Sequence, residues 1–95
     1  MVSNLITLAH RASPSEDALF QEVDGQAVLL DLASECYFGL DSVGTRIWTL
    51  LGEDDHLQRV SDRLCEEYAA DPARISSDLL TLVEQLAAAG LVKLS

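Results

Sequence analysis

The sequence predicts an α+β domain, a winged helix-turn-helix arrangement in which a three-stranded antiparallel sheet is followed by three helices. Two patterns carry this reading. Period-two alternation marks the strands between residues 17 and 40, and apolar stripes of helical period dominate from 42 to 89. Strands come first and helices follow, which is an α+β pattern. A third observation sets the scale: 95 residues hold one modest core and leave none for a second.

Taken in order, residues 1–16 are weakly patterned. Ser13-Pro14-Ser15-Glu16 breaks any regular structure before it, so this stretch reads as a loosely ordered N-terminal arm or an added edge strand, with the domain proper over 17–95. A first strand (17–23) meets a second (27–32) through Asp24-Gly25, the strongest hairpin signal in the chain. The small polar run Ala33-Ser34-Glu35 turns into a third strand (35–40), where Cys36, Phe38 and Leu40 alternate with Tyr37 and Gly39. Gly39 suggests a bulge or a close backbone approach. The third strand closes a meander and is therefore an edge, carrying one charge, Glu35, and no proline. Edges are normally blunted by such features, and this one reads as left open for use.

Asp41 or Ser42 caps a first helix over 42–51, with Val43, Ile47, Leu50 and Leu51 as its apolar stripe and Gly52 as its stop. Glu53-Asp54-Asp55 reads as a loop that caps a second helix (56–69) striped by Leu57, Val60, Leu64 and Tyr68. Asp71-Pro72 starts a third helix (72–89) bearing Ile75, Leu79, Leu82, Val83 and Leu86. Gly90 ends it as a left-handed cap, and Leu91 to Leu94 form an apolar tail packed back on the sheet or first helix.

Composition excludes several functions. No apolar run reaches the roughly 18–20 residues that cross a bilayer, and Leu5-Ile6-Thr7-Leu8-Ala9 is too short and lacks the basic start of a signal segment; a cytoplasmic protein is expected. A formal net charge of -10 with only 6 Lys and Arg disfavours nucleic acid and anionic membrane as partners. The winged-helix pattern raises DNA binding, but the third helix sets Arg74 and Gln85 against Asp71, Asp78 and Glu84, which would repel phosphate. Cys36 and Cys65 have no metal-ligand spacing and read as small buried hydrophobes in a reducing compartment. His10 and His56 lie far apart, and the five glycines form no phosphate loop. No catalytic residues, metal site or cofactor are expected.

Val28-Leu29-Leu30-Asp31, then Tyr37-Phe38-x-Leu40-Asp41, then Gly44-x-x-Ile47-Trp48-x-Leu50-Leu51 resembles the PqqD-like family, over roughly residues 17–94. Asp41 stands where that family commonly has Asn, and a helix cap accepts either. The resemblance implies a non-catalytic protein that binds the leader segment of a ribosomally made precursor peptide by strand addition. It further implies delivery of that peptide to a processing enzyme, with lasso peptide biosynthesis and a leader-cleaving cysteine protease preferred. Other modifying enzymes, a peptide carrier in pyrroloquinoline quinone synthesis, and a winged-helix regulator are the alternatives. The implied peptide site is the third strand, Glu35, Cys36, Tyr37, Phe38 and Gly39, facing Ile75, Asp78, Leu79, Leu82 and Val83 of the third helix.

Overall fold

The computed structural model describes residues 6–24 and 26–95. Its main sheet is the expected antiparallel meander, β2 (Ala18–Val23), β3 (Gln26–Asp31) and β4 (Cys36–Leu40), in the order β2-β3-β4. A short first strand, β1 (Ala12–Pro14), precedes it. Asp24 has the left-handed φ of 53° that a primed hairpin turn requires; its partner in the sequence signal, Gly25, lies outside the described residues. The β3–β4 connection is held from within. The carboxylate of Asp31 accepts the Ala33 N–H at 3.2 Å and the Ser34 hydroxyl at 2.8 Å, and Glu35 then takes a φ of 61° to enter β4. β3 and β4 pair without interruption through Gly39, so the expected bulge is absent; a Cβ there would meet nothing within 4 Å.

Alternation along β3 aims Ala27, Leu29 and Asp31 at the core, where all three are buried. The opposing layer is α1 (Ser42–Glu53), α2 (Leu57–Glu67) and α3 (Pro72–Ala88). Ile47, Leu50 and Leu51 of α1, Leu57, Val60 and Leu64 of α2, and Leu79, Val83 and Leu86 of α3 form one core with Leu29. Asp41 is the α1 cap, accepting the Gly44 N–H at 2.7 Å, and Asp71 caps α3 through the Ala73 N–H at 3.0 Å with Pro72 in the first turn. Gly90 ends α3 with a φ of 78°, as expected.

Two boundaries differ from expectation. Gly52 does not stop α1, which runs to Glu53 and closes with the Asp54 N–H on the Leu50 carbonyl at 2.8 Å. Glycine weakens a helix without forbidding one when packing on either side favours it. The acidic loop does not supply the α2 cap either. His56 occupies that position without a side-chain bond, and the Asp54 carboxylate instead accepts the His56 N–H at 3.1 Å. Cys36, expected in the core, is exposed, and Cys65 is half-buried.

The apolar tail forms a strand, β5 (Val92–Leu94), which pairs antiparallel with β1 in a second, two-stranded sheet. Residues 12–14 thus take the strand form open to the N-terminal segment, with Ala12 wholly buried. The Ala12 N–H also donates to the Asp55 carbonyl at 2.9 Å, tying this sheet to the α1–α2 junction.

Candidate peptide-binding groove

The pairing pattern decides which backbone groups are free. The Leu32 N–H donates to the Asp17 carbonyl at 2.9 Å, so Asp17 faces β3 and the residues of β2 alternate outward from there. Along β3, Ala27, Leu29 and Asp31 then direct their N–H and C=O groups toward β4, and their partners are Leu40, Phe38 and Cys36. Tyr37 and Gly39 are left pointing their main-chain donors and acceptors away from the sheet. Tyr37 is 72% exposed, and nothing crowds Gly39. The β4 edge therefore offers two residues to an added strand.

Beside that edge lies an open groove of about 480 Å³. One wall is Phe38, Gly39 and Leu40; the other is Asp78, Thr81, Leu82 and Gln85 of α3. Val43, Gly44 and Ile47 of α1 make the floor. The floor is close to β4 because Gly44 has no side chain: a Cβ there would stand 3.1 Å from Asp41 Oδ1 and 3.3 Å from Leu40 Cδ2. The same cap that starts α1 thus shapes the groove. Val43, Ile47 and Asp78 also line an adjoining pocket of about 140 Å³, walled by Leu64, Tyr68 and Ile75. The Asp78 carboxylate lies 4.0 Å from Arg74 Nε on the exposed face of α3.

Of the residues expected at the site, Phe38, Gly39, Asp78 and Leu82 come together in the groove, and Ile75 lines the adjoining pocket. Glu35, Cys36 and Tyr37 lie on the exposed β4 side. Leu79 and Val83 do not form a wall: both are 0% exposed and belong to the core. Their places are taken by Thr81 and Gln85. Positions 78, 81, 82 and 85 are one stripe at helical spacing, a signal that apolar residues alone did not reveal. Val43, read from the sequence as core, is exposed at the groove floor.

Away from the groove, Asp54, Asp55 and His56 bring three possible metal ligands within 4.8 Å of one another. Each carboxylate already has partners in the protein: Asp54 binds Arg59 at 3.2 Å and the His56 N–H, and Asp55 accepts the Ser13 hydroxyl at 3.0 Å. The His56 backbone N–H, with Arg59, holds the Asp54 carboxyl below its ordinary pKa.

The family described as coenzyme PQQ synthesis protein D (PqqD) matches residues 26–92, a span that contains β3, β4 and all three helices. This chain belongs to the PqqD family. Among solved structures, TbiB1 in complex with the TbiA(beta) leader peptide is similar at 36% identity and a TM-score of 0.78, covering 85% of this chain and 94% of TbiB1. A lasso peptide synthetase B1 complexed with the leader peptide shares the fold at 23% identity and a TM-score of 0.77, covering 87% of this chain and 98% of its own. No curated protein matches. No helix among the described residues is long and apolar enough to cross a membrane. In this PqqD-family chain the open edge and the groove are thus built within the matched span.

Proposed function

We propose that this protein captures the leader segment of a ribosomally made precursor peptide as a strand added to β4 and delivers it to a separate processing enzyme. The observation that carries the proposal is the unpaired edge at Tyr37 and Gly39 beside an apolar-floored groove. Strand addition divides the work between two kinds of contact: main-chain hydrogen bonds give register, and side-chain pockets give selectivity. Here Tyr37 and Gly39 would supply the first, and Phe38, Val43, Leu82 and the Asp78–Arg74 rim the second. The role is a non-catalytic one in the cytoplasm, and nothing in the groove requires a cofactor.

Similarity to TbiB1, solved with a leader peptide, supports leader capture; the pathway proposed is lasso peptide biosynthesis, in which a leader-cleaving cysteine protease would receive the bound peptide. The test is a calorimetric titration with two leaders, that of TbiA(beta) and that encoded by a precursor gene found beside the gene for this chain. The encoded leader should bind at about micromolar Kd or tighter, equivalent to about 8 kcal/mol. Amide exchange should slow at Tyr37 and Gly39 on binding. Absence of binding to the encoded leader refutes the function, and binding without protection at those amides refutes strand addition.

A further inference from the structure

The main sheet has a second free edge. By the alternation that leaves Tyr37 and Gly39 free on β4, the residues of β2 that point their N–H and C=O groups away from β3 are Ala18, Phe20 and Glu22; the Ala18 N–H is taken by the Ser15 carbonyl at 3.2 Å, which leaves Phe20 and Glu22 as the open donors. β2 packs substantially against β3 alone. It runs six residues with no proline and no interruption of its pairing, and its one charge, Glu22, stands near its end, so the centre of the edge is left unblunted. Its centre is apolar on both faces. Phe20 shares the inner face with Leu29 yet is 37% exposed, and Leu19 shares the outer face with Leu30 and Tyr37 and is 40% exposed. The strand thus overhangs the helical layer, and an added strand would meet apolar side chains above and below it.

Charge says what kind of strand fits. Glu16 and Asp17 stand at one end of β2, Glu22 and Asp24 at the other, all exposed and none ion-paired to a described residue. None of the chain's Lys or Arg residues falls between 16 and 24. A second copy is a poor occupant. Whether two β2 strands met parallel or antiparallel, acidic ends would face acidic ends, and like charges opposed across strands are destabilising. We infer that β2 is a docking edge for a different protein, one that presents an exposed strand with an apolar centre and Lys or Arg at its flanks. The inference goes beyond peptide capture and uses the opposite edge. Because β3 separates β2 from β4, both edges can be filled together, giving a single five-stranded sheet with the docked protein and the captured peptide on opposite sides.

The test uses the intact protein and two synthetic probes that share a Val-Thr alternating centre, one with paired lysines at each end and one with paired glutamates. Amide exchange and chemical shifts are followed by NMR as each is added. The lysine-flanked probe should protect Phe20 and Glu22 and bind at least about tenfold more tightly than the glutamate-flanked one at low salt. Phe20→Pro removes one outward N–H without touching the β2–β3 ladder and should abolish that binding. Tyr37→Pro should leave it intact. Equal binding of the two probes, lack of protection at those two amides, or loss of binding in Tyr37→Pro alone overturns the inference. Concentration-dependent dimerisation that Phe20→Pro abolishes would overturn it in favour of a second copy. None of these results bears on whether leader peptide binds at β4, so the two proposals fail separately.

Discussion

Neighbouring residues of β4 have opposite duties, and two proline substitutions separate them. Tyr37→Pro deletes an N–H that faces away from β3, so the protein should stay folded while leader affinity drops at least about tenfold. Cys36→Pro deletes an N–H that points into the ladder toward Asp31 and should cost about 1–3 kcal/mol of stability. Denaturation curves beside leader titrations distinguish them. A second pair separates groove from core on α3. Leu82→Ala should weaken leader binding by about 1–3 kcal/mol with little loss of stability if the side chain is an anchor. Leu79→Ala should cost about 2–5 kcal/mol of stability, because Leu79 has no exposed surface and its truncation leaves a cavity. Equal effects of the two on binding, measured where both variants are fully folded, would show that the groove wall is misassigned.

The strand-to-helix joint from Leu40 to Gly44 links folding to the site at the scale of elements. Asp41 receives the Gly44 N–H at 2.7 Å and so fixes the angle at which α1 leaves the sheet. Asp41→Ala should cost about 0.5–2 kcal/mol, whereas Asp41→Asn should restore most of that stability, since either side chain accepts the bond. Gly44→Ala should fail to gain the usual stability of alanine in a helix, up to about 1 kcal/mol, because its Cβ would crowd the cap oxygen and Leu40. Urea denaturation measures all three. A stabilised Gly44→Ala would mean that the joint can relax.

At the scale of the whole molecule, an ion pair between α1 and α2 predicts a pH dependence. Arg46 on α1 binds Glu67 at the end of α2 in a two-pronged contact, with Nε to Oε1 at 2.7 Å. That guanidinium holds the Glu67 carboxyl below its ordinary value of 4.5. A carboxyl whose pKa is lowered by folding adds stability above its unfolded pKa and loses it as pH falls through the folded value. The Tm difference between the protein and Glu67→Gln should thus be largest near neutrality and close progressively below pH 4.5. Comparing the two proteins removes the separate effect of relieving a net charge of -10, which acts on both. A gap that persists in strong acid would sink the assignment.

Sequence alone determined whatever depends on local pattern. The meander, the three helices and the caps at Asp41, Asp71 and Gly90 follow from side-chain period and from residues suited to particular backbone angles. So does the openness of the third strand, since a meander's last strand has no later partner. Tertiary structure decided what depends on distance between elements. Leu79 and Leu82 belong to the same apolar stripe, and only the packing of α3 sends one into the core and the other to the groove. Cys36 looks like core by alternation, yet it stands at the start of β4 and is exposed, while Leu40 at the far end of the same strand is buried. β1 and β5 are three residues each, too short to announce themselves, and exist because residues 12–14 meet residues 92–94. Which backbone groups of β4 and β2 are free was likewise invisible until pairing register was known, because moving a strand by one residue exchanges every inward group for an outward one.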